Sequence, residues 1–156
     1  MRLLALAIIA LPSVAGAACR GDVVFDCDMG AKTVEVCLSA TTLTYEFGPP
    51  GKPELTLSAP VQDAQYTPWP GIGSSIWETV MFLNDGVAYE VWYSVDRNTD
   101  EHAFTAGITV SQNEATIATL SCTPGTIVQN LSAIFDAKES VGQCWDSRER
   151  RWLSGC

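Results

Sequence analysis

The chain of 156 residues carries a formal charge of −9 at pH 7, is 47% hydrophobic, and has six cysteines but one histidine. That size and apolar content suit one domain with a real core and exclude an intrinsically disordered chain. The acidic balance repels phosphate backbones, so no nucleic-acid partner is expected; it suits a soluble surface or a basic protein partner.

Met1-Arg2 is a short positive start, Leu3 to Leu11 an apolar run, and Ala15-Gly16-Ala17 a small-residue cleavage site. This layout predicts a secretory signal peptide over 1–17, too short and wrongly flanked for a membrane span. A lipoprotein signal needs a large aliphatic residue three positions ahead of its cysteine. Gly16 stands there before Cys19, so a soluble periplasmic or secreted product is expected. No later segment is apolar for long enough to span a bilayer.

The body then reads as short strands. Val23 to Cys27 alternates, which places Val23 with Phe25 on one face and Asp22 with Asp26 on the other. Thr33 to Leu38 aligns Val34, Val36 and Leu38, and Thr41 to Phe47 aligns Leu43, Tyr45 and Phe47. Gly48-Pro49-Pro50-Gly51 interrupts the chain before Glu54 to Ser58. From Ala59 to Ser75, Pro60, Pro68, Pro70, Gly71 and Gly73 argue against any ladder. Ile76 to Leu83 and Val87 to Val95 form a hairpin across Asn84-Asp85-Gly86, where Asp-Gly supplies positive φ. After a polar loop from Asp96 to His102, Phe104 to Ser111 and Ala115 to Ser121 form a second hairpin across Gln112-Asn113-Glu114.

Eight short strands spaced by roughly ten residues predict a mainly β fold, an antiparallel meander closed as a small barrel or folded as a sandwich. After Cys122 the period changes. Thr126-x-x-Gln129 has the form of a capping box, Ile127, Val128, Leu131, Ile134 and Phe135 share a helical stripe, and Gly142 is a stop. The expected organisation is a β-meander over 18–122 and, over 123–156, one C-terminal helix (Ile127 to Val141) with a cross-linked tail packed on it.

Six cysteines in an exported chain predict three structural disulfides. Cys144 and Cys156 bracket the short tail and are natural partners. The pairing of Cys19, Cys27, Cys37 and Cys122 stays open, except that at least one bridge ties the N-terminal strands to Cys122. No Cys-x-x-Cys is present to support redox chemistry.

No residue pattern demands catalysis, and no cofactor or metal is expected. The lone His102 has no Gly-x-Ser-x-Gly elbow to serve; Gly71-Ile72-Gly73-Ser74 is only superficially similar. Asp96-x-Asn98-x-Asp100 begins like a calcium loop, but an EF-hand needs glycine where Glu101 stands and glutamate where Gly107 stands. Glu78 and Glu90 could oppose each other across the first hairpin as a carboxylate pair, but two exposed glutamates on the outer face are expected instead.

Binding residues are easier to nominate. Trp69, stiffened between Pro68 and Pro70, and the tail residues Arg148, Arg151 and Trp152 are of the types enriched at binding hot spots. Trp145 and Trp152 are also suited to cover the core rim and the helix. Charge is uneven: from Cys19 to Ala118 fourteen acidic residues face four basic ones, whereas from Leu131 onward the two signs balance, four against four.

The succession Cys19, Cys27, Lys32, Cys37, a Tyr-x-Phe-Gly … Pro-Glu-Leu segment (Tyr45 to Leu55) and a final Ala-x-Leu-x-Cys strand (Ala118 to Cys122) resembles small exported bacterial proteins of unassigned function. The disulfide-bonded acidic meander is also similar in architecture to the periplasmic inhibitors of C-type lysozyme, which use a Ser-Gly-x-x-Tyr loop. Here the one Ser-Gly is Ser154-Gly155, directly before Cys156, so no inhibitory residue carries over. The expectation is an exported, non-catalytic binding protein for a basic protein partner, among them a basic enzyme such as a lysozyme. The alternatives are a glycan- or small-ligand-binding barrel and a hydrolase using Glu78, Glu90 or the Asp96 to His102 loop.

Overall fold

The structure, a computed structural model, describes residues 19–156; the signal peptide expected over 1–17 lies outside the described residues. Four consecutive strands, β1 (Asp22–Met29), β2 (Lys32–Ser39), β3 (Thr42–Gly48) and β4 (Leu55–Pro60), pair as antiparallel neighbours in a first sheet. Five more, β5 (Gln65–Thr67), β6 (Ser75–Asn84), β7 (Val87–Asp96), β8 (Phe104–Gln112) and β9 (Ala115–Ser121), pair in a second. The chain then adds β10 (Val128–Gln129) to the open side of β1. The mainly β, antiparallel fold expected from the alternation is therefore present, hydrogen-bonded as two five-stranded sheets.

Turn chemistry and alternation account for this. Asp85 and Gly86 take φ of 49° and 79°, and Asn113 and Glu114 take 50° and 63°, the paired positive angles of two-residue hairpin turns whose twist matches the strands. Inward residues from both sheets, among them Val36, Tyr45, Val80, Phe82, Val91 and Ile108, form one core. Tyr45 spans it, its ring 5.3 Å from Phe82 and 5.9 Å from Tyr89.

Two expectations for the strands are corrected. A β-bulge between Val23 and Phe25 breaks their shared face: Val24 and Phe25 are buried, while Val23 turns outward opposite Cys37. The stretch from Ala59 to Ser75 is not free of ladder either. Gln65–Thr67 pairs with β6 at the sheet edge, just ahead of Pro68, because proline excludes a residue only from positions that must donate. Tyr66 buries its ring there, 2% exposed.

The helix is also shorter than expected. α1 runs Ser132–Ser140, and its N-cap, Leu131, makes no side-chain cap bond. The Thr126 hydroxyl instead donates to Thr123 O (2.9 Å) and accepts from Asp28 N (3.0 Å), and Gln129 Oε1 accepts from Leu131 N (3.1 Å). The open edge of β1 offers Val128 and Gln129 ladder bonds, and this tertiary pairing overrides a local capping signal worth about 1 kcal/mol. Ile127 and Val128 thus leave the helical stripe, of which Leu131 and Ile134 are buried, and Lys138 is buried on the same helix. Gly142 does end the helix, at φ 82° with its N–H on Glu139 O (2.9 Å). β11 (Gln143–Asp146) and β12 (Arg151–Ser154) follow as a small hairpin. No helix of the described residues is long and apolar enough to cross a membrane.

Three disulfides form: Cys144–Cys156 across the tail, as expected, with Cys19–Cys37 and Cys27–Cys122. They belong to an oxidising, exported environment. The bridges close sequence separations of 18, 95 and 12 residues. Loop entropy makes the long one worth about 4.5 kcal/mol and the tail one about 3 kcal/mol. Paired Ser substitutions at Cys27 and Cys122 should therefore lower unfolding free energy in guanidinium by more than the same change at Cys144 and Cys156. Equal losses would show that the long bridge adds no more than a local one.

Candidate functional site

The outer face of the first sheet carries an arrangement that sheet energetics disfavour. Asp26 on β1 lies directly opposite Glu35 on β2, and Glu35 lies directly opposite Glu46 on β3. Carboxylates paired across strands repel at a cost of up to about 1 kcal/mol per pair. Partial burial and the neighbouring carboxylates hold Glu35 above its usual range; burial, then Asp28, does the same for Asp26. No ion pair engages the row: the one ion pair among the described residues, Lys32–Glu54, lies outside it, and Arg20, which lines the same depression as Glu35 and Glu46, makes none. At the β1 edge the row meets apolar surface: Val128 pairs with Asp26 and is 51% exposed, and the bulge exposes Val23 to 36%. The result is a carboxylate row beside two outward valines.

No protein-family model, curated protein or solved structure matches this chain.

The four nominated binding residues fall in different places. Trp69 is half-buried, its Nε1 donating to Ile72 O (3.2 Å), with the Arg97 guanidinium 5.2 Å from its ring. Arg97 in turn donates to Gly73 O (3.1 Å), so the proline-flanked loop folds onto the Asp96 to His102 loop. Arg148 is exposed in the turn between β11 and β12, which Asp146 Oδ1 holds by accepting from Arg148 N (2.9 Å) and Glu149 N (3.1 Å). Arg151 and Trp152 come together at a groove between β5 and the tail hairpin. Trp145 and Trp152 are cross-strand partners with rings 5.5 Å apart, and Trp152 also meets Phe135 of α1 at 5.0 Å. The tail tryptophans thus cover the core rim and helix while lining a groove.

The carboxylate candidates for hydrolysis do not meet. Glu78 pairs with Tyr93 and shares the inward face of β6 with Val80 and Phe82, so the exposed position expected for it is corrected: it is 8% exposed. Glu90 pairs with Met81 on the opposite face of that sheet. The inward alternation of β6 passes through position 78 whatever residue stands there. Among the described residues no group of three or more His, Cys, Asp or Glu is placed to hold a metal. The Asp96 carboxylate accepts from Asn98 N (2.8 Å), and His102 Nδ1 lies 3.2 Å from Asp96 O.

Burial pushes the Glu78 carboxyl up, and the nearby Tyr66 and Tyr93 hydroxyls only soften the shift. By bond geometry, Glu78 Oε2 and Tyr66 Oη have no hydrogen-bond partner. Burial and Glu78 together push Tyr93 up to about 12. A carboxyl whose folded pKa is raised contributes stability below its unfolded value, and that contribution is lost as pH rises through the folded one. Glu78→Gln keeps the shape without the charge, so at pH 7 it should be more stable than the parent by about 1–3 kcal/mol, an advantage that vanishes near pH 4. Urea midpoints at both pH values measure this; a variant less stable at pH 7 would mean that the ionised form is held by the fold.

Proposed function

We propose that this is an exported, non-catalytic binding protein, released from its signal peptide into the periplasm or the medium, that docks a basic protein on the outer face of its first sheet. The register Asp26–Glu35–Glu46 carries the reading. A threonine or lysine at the central position would remove repulsion from the sheet, so the row is costly to the free fold and useful against a cationic surface. Val23 and Val128 supply the apolar contact that a purely charged patch lacks. A basic enzyme such as a lysozyme has the required charge, and its inhibition needs only occlusion. The non-catalytic part of the reading rests on Glu78 and Glu90 projecting from opposite faces of one sheet, where they cannot share a substrate. Three disulfides fit an exported chain.

The oxidised protein should bind a C-type lysozyme, used as the basic probe, with affinity that falls as salt rises. Glu35→Gln with Glu46→Gln should weaken that binding roughly tenfold at low salt, mostly through slower association. The same pair should raise unfolding free energy by about 0.5–1 kcal/mol. Glu114→Gln, in the distant β8–β9 turn, is the control for net charge. Equal weakening by Glu114→Gln would reduce the interaction to nonspecific attraction, and no binding to lysozyme or any other basic protein would sink the proposal.

A further inference from the structure

We propose that the groove between β5 and the β11–β12 hairpin is a second binding site, of opposite polarity, that takes a carboxylate-bearing sugar. The groove encloses about 380 Å³, within the range of small-ligand sites. Its cations are Lys138, Arg150 and Arg151, three of the nine basic residues in a chain with eighteen acidic ones. Both arginines are exposed and neither makes an ion pair among the described residues; Asp146, the cross-strand neighbour of Arg151, has its Oδ1 engaged by Arg148 N and Glu149 N. In so acidic a protein, two adjacent guanidiniums outside any ion pair on one rim are available to a ligand.

The rest of the lining is rigid and chemically mixed. Trp152 Nε1 donates to Tyr66 O (2.8 Å), and Phe135 and Trp145 flank its ring, so the indole is fixed on the groove wall. Lys138 is 1% exposed, its ammonium donating to Gln143 Oε1 (3.2 Å) and Gln62 O (3.4 Å), 5.2 Å from the Trp152 ring. Burial lowers Lys138 to about 8, with Asp63 the acid that opposes the shift, so at pH 7 it is still charged. Gln143 Nε2 donates to Gln62 O (3.1 Å), which locks the amide between Lys138 of α1 and the turn before β5.

These groups divide the recognition of one ligand class. Planar guanidinium forks match a carboxylate, and indole faces offer apolar area to the C–H face of a sugar ring. Amides supply the directional contacts that hydroxyls need. A bare anion would use the cations and leave the indoles idle; a neutral sugar would leave the guanidiniums idle.

The test is calorimetric titration of the oxidised chain with glucuronate, methyl glucoside and acetate at fixed ionic strength. Glucuronate should bind at least roughly tenfold more tightly than either of the others, the value of one charge-assisted hydrogen bond or one stacked ring. Arg150→Gln with Arg151→Gln, both exposed and so neutral to folding, should weaken glucuronate roughly tenfold with the circular dichroism spectrum unchanged. Glu35→Gln, on the other surface, should leave it unaffected. Acetate binding as tightly as glucuronate, methyl glucoside doing so, or an arginine double variant with unchanged affinity would each overturn the assignment.

Discussion

Cys27 on β1 and Cys122 just past β9 stand 95 positions apart, and their bond holds the first strand of one sheet to the last strand of the other. The backbone reinforces the same point. Thr123 N donates to Asp28 O (2.7 Å), Cys122 N to Ala106 O (2.9 Å), and Asn130 N to Val24 O (2.8 Å). Without the bond, core packing alone would have to offset the whole closure entropy of an open meander. With the clasp in place, β10 is delivered to the edge of β1, which covers an exposed ladder that would invite edge pairing. The helix and the tail hairpin are hung from that junction. Both candidate surfaces depend on it: Asp26 and Val128 meet across β1 and β10, and the groove is walled by β5 and the β11–β12 hairpin.

The charge is segregated by the same construction. Among the first hundred described residues fourteen acidic side chains stand against four basic ones, and three of the carboxylates are aligned on one sheet face despite mutual repulsion. Three of the four cations of the last segment, Lys138, Arg150 and Arg151, are gathered around two indoles. Screening confines each field to roughly a Debye length of about 8 Å at physiological salt, so patches of opposite sign keep separate identities. The molecule can therefore present an anionic face and a cationic groove on one small domain, a combination that a net charge of −9 conceals.

Local pattern made most of the fold legible. Asp85-Gly86 and Asn113-Glu114 announce their hairpins because positive φ is a local demand, and Val34/Val36 or Leu43/Tyr45 announce buried faces because alternation is intrinsic to a strand. What failed was non-local. The Thr126/Gln129 signal is a valid cap in isolation and loses to an edge created by residues about a hundred positions earlier. Tyr66 joins a strand that its flanking prolines hide, because edge pairing depends on which side faces the neighbour. The row Asp26–Glu35–Glu46 needed inter-strand register, and register depends on turn lengths and a bulge, neither of which composition reveals. Of the nominated binding residues, Arg151 and Trp152 share the groove because the tail disulfide and the helix bring the hairpin against β5; Trp69 and Arg148 stand elsewhere.

The groove's wall and the costliest part of the core meet at one residue. Tyr66 O accepts the Trp152 indole N–H on one side, while the Tyr66 hydroxyl, unpartnered, lies beside the buried Glu78 carboxyl on the other. A further buried charge, Lys138, sits behind the same wall. Buried polar groups without full satisfaction are the costly ones, and a fold selected for stability alone would place leucine at such positions. They concentrate around β5, a strand of three residues that also walls the groove. The three disulfides are what make that concession tolerable. They tie the N-terminus to β2, the first sheet to the second, and the tail hairpin to itself.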